Sequence, residues 1–83
     1  MLQDPLTIRH YQKLTDEIME LWHRGNHAQE IRLFVDGYLT CLRQVDVIEI
    51  YLIHRLEEDV LRFLRDPSNF EYESLFQAET ETA

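Results

Sequence analysis

Glycine and proline occur twice each, and cysteine and lysine once each, in this chain of 83 residues. With only Gly25 and Gly37 available, no glycine-rich loop that could cradle a phosphate can be written. A single cysteine, Cys41, excludes an intrachain disulfide framework and fits a reducing compartment. The two serines, Ser68 and Ser74, stand in no nucleophile-elbow context. No segment approaches the roughly 18 apolar residues of a membrane span. The opening Met1-Leu2-Gln3-Asp4-Pro5 lacks the basic region and apolar run of a leader. A cytoplasmic protein with no membrane insertion is therefore expected. Basic clusters are missing too, since Lys13 is joined by seven scattered arginines against sixteen acids, for a net charge of −8. Five of those acids follow Arg65 and no base does, so residues 1–65 hold eleven acids against eight bases. Phosphate recognition needs clustered Lys and Arg, so nucleic acid and anionic membrane are disfavoured as partners.

What is present is helical periodicity broken by local stop and start signals. Asp4 before Pro5 suits an N-cap followed by the first helical position, and Gly25 suits a helix stop. Between them Ile8, Tyr11, Leu14, Ile18, Met19, Leu21 and Trp22 share an arc of about 160°. Asn26…Gln29 starts a second helix with an apolar arc of Ala28, Ile31, Phe34, Val35, Tyr38, Leu39, Cys41, Leu42 and Val45. Asp46…Glu49 forms a capping box, with Val45 and Ile50 as its hydrophobic staple, and predicts a third helix over residues 47–65. Its later turns place Leu52, Ile53, Leu56, Val60, Phe63 and Leu64 on one face. Asp66-Pro67 ends it. Ser68…Glu71 is a further box, followed by Phe70, Tyr72, Leu75 and Phe76. The expected fold is all-α, a small bundle of three main helices plus a short C-terminal helix or ordered segment. It forms a single helical domain over residues 1–78, with a disordered acidic tail at 79–83.

Candidate chemistry is sparse. Glu20-x-x-His23 has the spacing used in di-iron helical bundles. It occurs once, however, and falls on the charged face of helix 1. His23 and His27 are four apart, but Gly25 intervenes and zinc would need further ligands. Glu20, His23 and His27 are thus weak metal candidates set against a solvated helix end. Cys41 has no adjacent base to activate it and reads as a small buried hydrophobe. Glu57-Glu58-Asp59 reads as a solvated helix face. A helix-turn-helix reading is disfavoured because Val47-Ile48-Glu49-Ile50 offers no base-reading Arg, Asn or Gln. No catalytic residue and no cofactor is expected.

The stretch Ile53-His54-Arg55-Leu56-Glu57-Glu58-Asp59-Val60-Leu61-Arg62-Phe63-Leu64-Arg65-Asp66-Pro67-Ser68-Asn69-Phe70-Glu71, with Val35-Asp36-Gly37-Tyr38-Leu39 and Leu6-Thr7-Ile8-Arg9-His10-Tyr11 before it, resembles a family of short, uncharacterised all-helical proteins from cyanobacteria. The resemblance covers most of residues 4–71. It implies a cytoplasmic setting in a photosynthetic bacterium and brings no catalytic residues with it.

The strongest lead is a surface left over once the core is assigned. Gln29, Leu33, Gly37, Thr40 and Gln44 recur at steps of four, four, three and four, forming an uncharged row on the back of helix 2. The row continues toward Ile48 and Tyr51. A mid-helix glycine costs about 1 kcal/mol relative to alanine, and such a residue lets another backbone approach. Leu33, Gly37, Thr40, Gln44, Ile48 and Tyr51 are the expected interface. The alternative is internal coverage by Phe70, Tyr72 and Phe76. The function expected is a non-catalytic protein–protein interaction module, a small cytosolic regulator or assembly factor acting as a homodimer. One alternative is a metal-binding helical protein or enzyme using Glu20 and His23 across a dimer. Another is an acidic nucleic-acid mimic that binds a basic protein.

Overall fold

The computed structural model describes residues 4–70. Three helices follow in order, α1 (Pro5–His23), α2 (Ala28–Val45) and α3 (Ile50–Arg65). A short C-terminal helix begins at residue 68, and no strand occurs among the described residues. The apolar stripes of the three helices meet in one core of Leu14, Ile18, Ile31, Val35, Leu39, Leu42, Ile53, Leu56 and Val60, joined by Ile48 from the α2–α3 connection. Burial of such side chains at about 1.5–3 kcal/mol each is what assembles helices too short to persist alone. The expected all-α bundle is the fold observed. None of the described helices is long and apolar enough to cross a membrane.

Local chemistry explains where each helix starts and stops. The Asp4 carboxylate accepts from the Thr7 amide at 3.0 Å, with Pro5 at the first helical position. Thr7 is fully buried, a residue the apolar arc did not include, and its hydroxyl is satisfied by the Asp4 carbonyl and carboxylate, each at 3.0 Å. At the other end Gly25 adopts φ +91°. The amides of Gly25 and Asn26 return to the carbonyls of Trp22 and Leu21, both at 3.0 Å. This pairing is a Schellman motif.

Three of the expected helix starts sit elsewhere. Asn26 does not cap α2, because its amide side chain donates to the Leu21 carbonyl and helps close α1. The cap moves to His27, whose amide donates to the Glu30 carboxylate at 2.9 Å. Asp46 does not cap α3. It takes the left-handed conformation, φ 56° and ψ 36°, and ends α2 instead. The N-cap of α3 is Glu49, three residues later. Likewise Asp66, not Ser68, caps the last turn, accepting from the Ser68 amide at 3.0 Å and the Ser68 hydroxyl at 2.7 Å. Glu71, Tyr72, Leu75, Phe76 and the expected boundary at 79–83 lie outside the described residues.

Candidate interaction surface

The shift at Asp46 decides which apolar residues reach solvent. With Glu49 as N-cap, the staple positions fall on Ile48 and Ile53, and both are buried, at 5% and 0% exposure. Ile48, expected at the interface, therefore belongs to the core. The residues first assigned to the staple are released, leaving Val45 at 53% and Ile50 at 61% exposure. Val47 and Tyr51 are equally open, at 60% each. The short turn from α2 into α3 thus carries four exposed apolar side chains around one anchor. Val45, Val47 and Ile50 were left out of the expected interface. The signal for them was the true staple spacing, Ile48 to Ile53.

The outer row of α2 lies where the pattern put it. Leu33 is 73% exposed, and Gln29, Gly37, Thr40 and Gln44 are exposed with it. A Cβ built on Gly37 would meet no atom within 4 Å. The Thr40 hydroxyl donates to the Asp36 carbonyl of its own helix at 2.7 Å, so the row presents its methyl without an unmet donor. Cys41, Val45 and Ala28, placed on the apolar arc by periodicity, are exposed as well. Cys41 lies at the arc's edge, and Ala28 and Val45 are the first and last residues of α2.

Charges line one flank of this row in alternating sign. Arg32 lies 3.8 Å from Asp36, with both side chains more than half exposed. Arg43 reaches Glu57 of α3 at 3.8 Å. Asp46 and Glu49 flank the apolar turn, and neither forms an ion pair among the described residues. An exposed pair such as Arg32 and Asp36 contributes little to the fold. Its partners are therefore easily exchanged.

The other candidates are not assembled into sites. Glu20 faces Arg24 at 3.9 Å, His23 is exposed, and His27 serves as the N-cap of α2. Among the described residues no group of three His, Cys, Asp or Glu side chains could hold a metal ion. A groove of about 570 Å³ is lined by Ile8, Tyr11, Asp59, Arg62, Phe63, Asp66 and Asn69. Its charges are engaged internally: Arg62 donates to Asp59 at 3.0 Å, and Asp66 caps the C-terminal turn. Burial, then the Asp59 charge, holds the Tyr11 hydroxyl above its ordinary range. A second groove of about 250 Å³ lies between Trp22, Ala28, Ile31, Arg32, Leu64 and Phe70. Phe70 closes that end of the bundle, edge-to-face on Trp22 at 5.2 Å and on Phe63 at 5.8 Å. Among the internal covers proposed for the α2 row, Phe70 is accordingly used elsewhere. Tyr72 and Phe76 lie outside the described residues.

His10 and Tyr38 tie α1 to α2. The ring Nδ1 and the phenol oxygen lie 2.7 Å apart, with the rings edge-on at 5.7 Å. Burial, then Lys13 and Arg9, pushes the His10 pKa below its usual value. Burial, then neighbouring Cys41, pushes the Tyr38 hydroxyl up. The pair's geometry is that of a structural link between the two helices.

The chain belongs to a family of unknown function (DUF6761), whose model matches residues 1–83. No curated protein and no solved structure matches it.

Proposed function

We propose that this protein is a non-catalytic protein–protein interaction module that works as a homodimer, in the role of a small regulator or assembly factor. The observation that carries the reading is the apolar turn of Val45, Val47, Ile50 and Tyr51, each more than half exposed, beside a row headed by Leu33 at 73% exposure. Single exposed hydrophobes need no explanation, but a contiguous set marks a contact site. A chain of 83 residues also has a thin stability margin, and association is a usual remedy for one. The lone thiol of Cys41 fits a cytoplasmic place of action.

Sedimentation velocity across a concentration series tests this. The wild-type chain is expected to pass from monomer to dimer, while Leu33→Glu and Ile50→Glu stay monomeric with unchanged helicity. Both positions are exposed, so neither substitution disturbs the core. A wild-type chain that remains monomeric at every concentration would overturn the homodimer.

A further inference from the structure

Resting on that reading, we infer that the partner is a second copy of this chain packed α2 against α2 in antiparallel orientation, about a twofold axis passing between Gly37 and Thr40. A twofold interface must be self-complementary, with each residue meeting the residue that its own counterpart meets. The row satisfies this condition. Its steps of four, three and four from Leu33 to Gln44 read the same in both directions about the midpoint of Gly37 and Thr40. Antiparallel pairing there sets Gly37 beside the partner copy's Thr40, and Leu33 beside the partner copy's Gln44. The open space around the Gly37 Cα permits close approach at the crossing. Leu33 then falls against the partner copy's apolar turn, and this contact is made twice.

Charge selects the antiparallel orientation over the parallel one. The flank of α2 reads Arg32, Asp36, Arg43 and then Asp46 at the turn. Reversing one copy brings Arg32 to within one residue of Asp46 and Asp36 to within two residues of Arg43 in the register set by the row, offsets of about 1.5 and 3 Å along the axis. Every contact on that flank joins opposite signs. Asp46, without an ion pair among the described residues, gains one. The exposed Arg32–Asp36 contact at 3.8 Å is loose enough to be shared. Parallel pairing about a twofold would turn this flank of one copy toward the opposite flank of the other, so that none of these contacts forms, and would align two helix dipoles unfavourably.

Cysteine cross-linking in a Cys41→Ser background tests the arrangement. Leu33→Cys chains and Gln44→Cys chains are each exposed to oxidant alone, and then mixed. Antiparallel pairing leaves two Leu33 positions about 16 Å apart along the helix, from eleven residues at about 1.5 Å each. That separation is too long for a disulfide. The expected result is a covalent dimer only in the mixture. Cross-linking of either chain alone overturns the antiparallel assignment. A sedimenting dimer that cross-links in neither case places the contact elsewhere, and overturns this inference while leaving the homodimer standing. A chain that never dimerises overturns both. As a second readout, Asp36→Arg is expected to weaken dimerisation about tenfold, because it sets like charges against Arg43 of the other copy. Undiminished dimerisation of Asp36→Arg would overturn the register.

Discussion

Gly37 separates the needs of the fold from those of the surface. It is the tenth of the eighteen residues of α2, well away from either cap. Glycine at such a position is about 1 kcal/mol worse than alanine, because its backbone loses more freedom on folding. Structures tolerate that cost when a Cβ would strike something, but here nothing lies within 4 Å. Gly37→Ala should therefore stabilise the monomer by about 0.5–1 kcal/mol. In a domain of this size that corresponds to a rise in melting temperature of roughly 2–8 °C. Leucine has nearly the helix propensity of alanine, so Gly37→Leu should raise the monomer's melting temperature by a similar amount. Its side chain also fills the space that a second backbone would occupy. The two variants should thus agree in stability and differ in assembly, with Gly37→Leu losing at least about tenfold in dimer affinity, some 1.4 kcal/mol. Circular dichroism melts belong at a dilution where sedimentation shows monomer only, since dimerisation would add its own stabilisation. A Gly37→Ala chain that melts lower would refute the open-space argument. A Gly37→Leu chain that dimerises like wild type would remove the α2 row from the interface.

Two further outcomes follow from local geometry. Asp46 holds φ 56° without being glycine, a conformation that side chains with a Cβ adopt at a cost, so Asp46→Gly should raise stability by about 0.5–1 kcal/mol; a lower melting temperature would mean that the Asp46 carboxylate does more for the turn than its backbone angle costs. His10 has a folded pKa pushed below its unfolded value by burial first and the Lys13 and Arg9 charges second, so its contribution to stability is present above pH 6.5 and is lost as pH falls through the lower folded value. Melting temperature should drop over that interval in the wild type and drop less in His10→Gln; equal slopes in the two proteins would refute the assignment.

The parts of this architecture legible in the sequence were those set by a few adjacent residues. Asp4-Pro5 and Gly25 announce the two ends of α1 because the groups they satisfy lie within one turn. The core positions of α2 and α3 follow from helical period. Legibility failed where one residue could serve either of two helices. Asn26 and Asp46 both have the composition of an N-cap, yet each is drawn back to close the preceding helix, Asn26 through the Leu21 carbonyl and Asp46 through its left-handed backbone. A capping rule weighs only the residues ahead of the cap, so it cannot see that competition. The error at Asp46 then propagates. A three-residue delay in α3 exchanges Ile48 for Val45 and Ile50 at the surface, since a helix turns through about 300° in three residues. The row from Leu33 to Gln44 survived because it lies wholly within α2. Ile48 dropped out because extending the row to it assumed unbroken helical phase through the turn. The same break created the exposed set of Val45, Val47, Ile50 and Tyr51. The surface is therefore a consequence of how α2 ends, and a substitution that carried α2 helically through Asp46 would turn Ile48 out of the core and dismantle the turn's apolar face in one step.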